Sequence, residues 1–171
     1  MRGNFRRNVR GSVITEAANG HANVKALVYV AAFTPDAGET AAGLAGRFPG
    51  STLGPMLADG GKDLYITQDK FPAQFASDVP AADAALMAIT QRPITEAVLN
   101  EKSGEAAWKR IPSWHIYGTG DRNIPPAAMD FMAQRAKARH VVVIEDASHV
   151  VMVSHPDAVA RLIEEAAASI K

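Results

Sequence analysis

Trp114-His115-Ile116-Tyr117-Gly118-Thr119-Gly120-Asp121 is the stretch that decides the fold of this chain. A run without alternation, then a glycine-bracketed turn, then a carboxylate reads as a buried parallel strand delivering an acid to the crevice at its C-terminal end. Downstream the pattern recurs with a base in place of the acid. Val141-Val142-Val143-Ile144 is a second strand, and Asp146-Ala147-Ser148-His149 places an imidazole just beyond it, with small residues that let the backbone turn. Upstream, Ala26-Leu27-Val28-Tyr29-Val30-Ala31-Ala32 is continuously apolar and reads as a third strand covered on both faces.

Helical patterns fill the spaces between these strands. Ser12 to Ala18 is a short apolar helix closed by Asn19-Gly20 as a left-handed helix end. Pro125 to Lys137 carries Ala128, Phe131, Met132 and Arg135 at helical spacing. Ser154-His155-Pro156-Asp157 resembles a capping box, and behind it Val159, Leu162, Ile163, Ala166, Ala167 and Ile170 form one apolar face. These alternations predict an α/β fold of about three parallel strands flanked by helices. Phe33 to Arg110 shows no comparable strand, and a structureless loop of that length is improbable in a compact domain, so a helical insertion is expected there. Asp78-Val79-Pro80 reads as the cap of one such helix, with Ala81, Ala84, Ala85 and Ile89 along one side, and Pro93 as the start of another.

Composition excludes several classes of function. The 171 residues suit one domain, and 18 basic against 18 acidic side chains leave no net field to draw the chain to nucleic acid or an anionic membrane. The absence of cysteine removes disulfides, thiolate nucleophiles and Cys-ligated zinc together. No apolar run approaches the roughly 20 residues that span a bilayer, and the Arg-rich start lacks the apolar segment of a secretory signal, so a cytoplasmic location is the default expectation. His21, His115, His140, His149 and His155 show no metal-site spacing, and Gly60-Gly61-Lys62 lacks the upstream strand and spacing of a phosphate loop. No metal is expected. Residues 1–11, with Arg2, Arg6, Arg7 and Arg10, read as a solvated basic arm.

Taken alone, Asp121 could cap the following helix and His149 could be structural. Together, an acid after one strand and a base after the next follow the chain order of one nucleophile–acid–base architecture. From Ser12 onward the chain resembles the C-terminal part of an α/β-hydrolase, close to the small esterase and hydroxynitrile-lyase-like branch. The resemblance is carried by Gly11-Ser12-Val13-Ile14, by Val28-Tyr29-Val30-Ala31-Ala32-Phe33 with Pro35 and Gly38-Glu39, by Gly118-Thr119-Gly120-Asp121 with Ile124-Pro125, and by Ala147-Ser148-His149 with Ser154-His155-Pro156. It implies core segments 12–33 and 111–171, a helical cap or lid over 34–110, and a basic or non-native arm over 1–11.

The resemblance also assigns roles. His149 becomes the base, Asp121 the acid that orients it, and no cofactor is needed. Phe33, Leu53, Met56, Leu57, Phe71 and Phe75 become candidate lining of an apolar pocket for a small ester-like substrate. The family's nucleophile elbow has the form Gly-x-Ser-x-Gly, and counting back from Gly11-Ser12-Val13 puts its serine position on Asn8 and its glycines on Arg6 and Arg10. An asparagine amide cannot be deprotonated into an attacking group, and Ser12 falls one helical turn too late to replace it. The expectation is therefore a carboxylic-ester-hydrolase-type protein impaired at its nucleophile and lacking the family's earlier strands, which would expose a sheet edge open to self-association. The alternative is a catalytically silent remnant or a small-molecule-binding pseudoenzyme. A truncated or frame-shifted reading of a longer gene would explain both departures, and an intact elbow codon string in another frame would be its signature.

Overall fold

A computed structural model of the chain describes residues 10–60 and 63–170. Asn8 and Arg6, and with them most of the basic arm read from sequence, lie outside the described residues. The core is a parallel sheet of three strands, β1 (Leu27–Val30), β5 (Ser113–Gly118) and β6 (His140–Ile144), in the order β1-β5-β6. The registers place Leu27 opposite Ser113 and Trp114 opposite His140, which brings the C-terminal ends of β5 and β6 level with one another. The continuous apolar runs of the sequence are thus strands, and β5, the central one, is buried along its whole length.

Alternation assigns each side chain to one of two helical layers. Val28, Val30, Trp114, Ile116, Val142 and Ile144 pack toward helix α8 (Pro156–Ala168), which buries Val159, Leu162 and Ala166. On the opposite face Leu27 and Tyr29 meet α1 (Arg10–Ala17), and Tyr117 and Val141 meet α6 (Pro126–Arg135) through Met129 and Met132. Trp114 and Ile116 are each 1 % exposed, and burial of side chains of this size stabilises the sheet by about 2–3 kcal/mol apiece. Gly20, with φ +78°, takes the left-handed conformation expected of it just beyond α1.

Two readings of the last helix differ in the structure. Ile163 and Ile170 are 48 % and 41 % exposed, so the apolar face of α8 is narrower than its sequence suggests. Ser154 closes the short helix α7 (Val151–Ser154) and makes no capping box, because the cap position of α8 is His155, which offers no side-chain cap bond.

The segment between β1 and β5 carries the expected helices: α2 (Ala41–Gly46), α3 (Phe71–Phe75), α4 (Ala81–Thr90) and α5 (Glu96–Leu99). It also holds a small antiparallel sheet that the sequence reading missed. β2 (Leu57–Gly60) and β3 (Asp63–Ile66) pair as a hairpin, and β4 (Ile94–Thr95) adds to β3 where a helix was expected after Pro93. Strands of two to four residues carry too little periodicity to register in a sequence pattern. Gly60 closes β2, so a strand does enter the stretch Gly60-Gly61-Lys62, contrary to the sequence reading, but one whose neighbour runs antiparallel; Gly61 and Lys62 lie outside the described residues. Asp78 does not cap α4, whose cap position is Pro80 without a side-chain bond. Ile89 turns outward at 68 % exposure, while Ala84 and Ala88 supply the buried side of α4.

His115 is part of the packing of β5. Its ring stacks on Tyr29 at 4.7 Å and Nε2 lies 3.2 Å from Ser113 Oγ. Burial penalises the charged imidazolium and depresses its pKa to about 4. Between the ordinary value of about 6.5 and this value only the unfolded chain binds the proton, so stability is full above pH 6.5 and falls as pH drops through that window. The expected loss is on the order of 3 kcal/mol. Denaturant midpoints at pH 7 and pH 4.5 should fall less in His115→Phe, which keeps the stack on Tyr29 and removes the titration; an equal fall in both proteins would contradict the assignment.

Candidate active site

The loops after β5 and β6 leave the same end of the sheet, and their backbones touch. Gly120 N–H donates to Ala147 O at 3.1 Å, Thr119 N–H to Ile144 O at 3.0 Å, and Asp146 N–H to Thr119 Oγ1 at 2.8 Å. A Cβ on Gly118 would stand 1.9 Å from Ala147 O, and one on Gly120 2.6 Å from Asp146 O. The glycines that read as turn residues are therefore glycines of close approach. Asp146 begins the second loop with φ +55°, a left-handed conformation that Asp tolerates better than most side chains.

This approach brings Asp121 and His149 together, with Asp121 Oδ2 lying 2.7 Å from His149 Nδ1. The Asp121 side chain is fully buried, and its other oxygen accepts the N–H groups of Asn123 at 2.8 Å and Ile124 at 3.0 Å. One carboxylate thus shapes its own loop with Oδ1 and orients the histidine with Oδ2. The two oxygens have two tasks, neither of them a cap of α6. A carboxylate only accepts, so Nδ1 is the donor of this bond, and in the neutral imidazole the lone pair then lies on Nε2. The ring of Phe75 lies 4.7 Å from the imidazole with the planes at 61°, leaving the His149 side chain 19 % exposed.

Of the residues read as pocket lining, Leu53, Met56, Leu57, Phe71 and Phe75 gather in one apolar cluster with Ile66, Val79 and Val150, the neighbour of His149. Phe33 packs elsewhere, with Leu44, Tyr117, Ile124 and Met129. Clefts of 280 and 320 Å³ open near Tyr65 and Gln91 and near His21 and Arg110, respectively, and neither is lined by Asp121 or His149. Ser12 is buried, 7 % exposed, as the third residue of α1.

Three polar residues escaped the sequence reading of the site. Gln74 donates from Nε2 to Arg122 O at 2.8 Å and to Asn123 Oδ1 at 3.2 Å, and Asn123 Nδ2 donates back to Gln74 O at 3.3 Å. Asp78 accepts the Ser148 N–H at 3.1 Å. Burial pushes the Asp78 carboxyl upward, but hydrogen bonds from Ser148 and Ser154 outweigh it and hold the group below the usual carboxylate range. The available signal was a glutamine amid the apolar run Phe71-Pro72-Ala73-Gln74-Phe75, a polar group that must find partners if buried.

No match was found among curated proteins. Solved structures share the fold at low identity. Tomato methylketone synthase I complexed with 2-tridecanone superposes with a TM-score of 0.76 at 16 % identity, over 96 % of this chain and 69 % of that one. A methylesterase from Arabidopsis matches with a TM-score of 0.67 at 19 % identity over 94 % of this chain and 66 % of its own. An extracellular α/β-hydrolase from a Paenibacillus species, described as sharing homology with tobacco salicylic acid binding protein 2, matches with a TM-score of 0.68 at 24 % identity, over 91 % of this chain and 67 % of that one. The chain thus spans about two thirds of the length of these relatives. No helix among the described residues is long and apolar enough to cross a membrane. A model of the alpha/beta hydrolase family matches residues 11–162, a span that holds the parallel sheet and the loops of Asp121 and His149, and the chain belongs to that family.

Proposed function

We propose that Asp121 and His149 are the acid–base pair of a carboxylic-ester hydrolase, and that turnover in this chain is limited at the nucleophile position, Asn8. The 2.7 Å contact between Asp121 Oδ2 and His149 Nδ1 carries this reading. In the reaction it supports, His149 Nε2 takes the proton of an attacking hydroxyl as its oxygen bonds to the acyl carbon of the ester. The alcohol leaves with that proton, and water attacks the acyl group by the same route to release the acid. Asp121 stays ionised and stabilises the imidazolium that forms between the steps. This chemistry needs no metal or organic cofactor.

The inserted segment serves as the cap, and the cluster of Leu53, Met56, Leu57, Phe71 and Phe75 meets an apolar acyl or alcohol group. The names of the structural relatives agree with a small apolar substrate, since one is a methylesterase and another was captured with 2-tridecanone. Position 8 supplies an amide where a hydroxyl is needed, so the chain as it stands holds the base without the group it would activate.

Turnover of a small activated ester is the test, in the parent, in Asn8→Ser, and in Asn8→Ser with His149→Ala. The parent should match buffer. Asn8→Ser should exceed it by about 10,000-fold or more, since loss of a serine nucleophile alone costs a hydrolase this much, and His149→Ala should remove the gain. Turnover in the parent that disappears with His149→Ala would point to a different nucleophile, and Asn8→Ser at the level of the parent would reject the assignment of position 8.

A further inference from the structure

At their base the loops of the acid–base pair hold one another, through Gly120, Ala147, Thr119 and Asp146. Farther out, at Arg122 to Asn123 and at Ser148, their bonds run to the inserted segment instead. Gln74, 5 % exposed, grips the Asp121 loop through two N–H donations, to Arg122 O and Asn123 Oδ1. Its carbonyl end is occupied as well, since Thr52 donates its hydroxyl to Gln74 Oε1 at 2.8 Å and its own N–H to Arg122 O at 3.0 Å. Every polar atom of that amide has a partner, which fixes its orientation. Four residues on, Asp78 grips the other loop at the N–H of Ser148, the residue before His149. Between the two grips Phe75 sets its ring against the imidazole.

We infer that Gln74 and Asp78 are positioning residues: by holding the Asp121 loop and the His149 loop from one short segment of the insertion, they fix the separation at which the acid and the base meet. The reason is mechanical. Asp121 is tied down within its own loop, but the imidazole hangs on two side-chain torsions from a backbone whose hold on the inserted segment is the bond from the Ser148 N–H to Asp78. A displacement of the loop by a few tenths of an ångström would stretch a 2.7 Å contact out of its best geometry. The segment that contributes Phe71 and Phe75 to the apolar cluster is then the segment that aligns the base, so substrate contact and base alignment are mechanically linked.

The catalytic consequence rests on the reading of Asp121 and His149 as an acid–base pair, and the test is chosen to stand apart from it. The readout is the exchange with solvent of the His149 Nδ1 proton, followed by NMR on the histidine-labelled chain, with thermal unfolding as a check of the fold. Gln74→Met keeps the size of the side chain and removes both donors, and Asp78→Ala removes the acceptor. Each should speed exchange of that proton about tenfold, the size of one lost hydrogen bond. Asp78→Asn keeps an oxygen for the Ser148 N–H and should stay near the parent, an outcome that a requirement for the charge alone would not give. Unchanged exchange in folded Gln74→Met and Asp78→Ala would overturn the proposal. Should either variant fail to fold, the Ser148 amide of the parent decides the matter: exchange as fast as an open loop refutes the Asp78 grip, and protection upholds it. Ester turnover enters none of these readings. An Asn8→Ser chain that stays silent, with exchange altered in the positioning variants, would therefore count against the proposed function alone, and an active Asn8→Ser chain with unchanged exchange against the positioning role alone.

Discussion

Asp121→Asn, introduced into the Asn8→Ser chain, should lower ester turnover by about 10,000-fold, the loss this exchange produces in a serine-protease triad, while leaving the melting temperature close to that of its parent. The separation of the two effects follows from the division of labour within the carboxylate. An asparagine can still present one oxygen to the N–H groups of Asn123 and Ile124, the bonds that shape the loop. What remains for His149 is then an amide NH2, a donor that cannot accept from Nδ1. The imidazole must turn or take the other tautomer, and in both cases the Nε2 lone pair is no longer available. Asp121→Ala should show the complementary pattern. It leaves two buried N–H groups without an acceptor and should destabilise the fold by about 2–4 kcal/mol in addition to removing activity. Equal turnover in Asp121→Asn and its parent would show that the contact with His149 is structural only.

Gly118→Ala is expected to be among the most damaging single-atom additions in this chain, lowering stability by about 3 kcal/mol or more. The added carbon would sit 1.9 Å from Ala147 O and 2.5 Å from Ala147 C, with the Ala147 side chain at 2.8 Å. None of these is the mobile end of a flexible side chain, so the clash is relieved only by moving backbone. Gly118 is paired with Ile144 in the central sheet, and its neighbour Thr119 is bonded to Ile144 O. The loop after β6 is therefore the part that must yield, and it carries His149. Gly118→Ala should thus weaken folding and pull the imidazole from Asp121, visible as a lowered unfolding midpoint together with loss of the slow-exchanging Nδ1 proton. A folded Gly118→Ala protein of parental stability would show that the two loops do not approach as closely as described.

The reach and the limit of sequence reading both show at these loops. Gly118 and Gly120 were legible as a turn between a strand and an acid, but their pressing against the backbone of Ala147 was not, because that contact joins residues from different strands. Five of the six apolar residues read as pocket lining do cluster beside His149, while Phe33, as apolar as the rest, belongs to the packing of α6 on the sheet. Hydrophobicity marks a residue for burial without saying against which neighbour. Asp78 shows the same limit for polar groups. Asp before Val-Pro is a good helix-cap signal, yet its carboxylate bonds a residue 70 positions away.

By itself the sequence determined the parallel core, its three strands and the placement of Asp121 and His149 at one end of them. Burial on both faces demands a run without polar alternation, and that demand is met locally, within the stretch Trp114 to Tyr117 of the central strand. Tertiary structure alone decided that Asp121 divides its oxygens between a loop and a histidine, that β2, β3 and β4 form a second sheet, and that Gln74 and Asp78 hold the two loops. Those outcomes rest on hydrogen bonds and short pairings between distant segments, 49 positions apart for Gln74 and Asn123, and no local periodicity records which distant group will accept a proton.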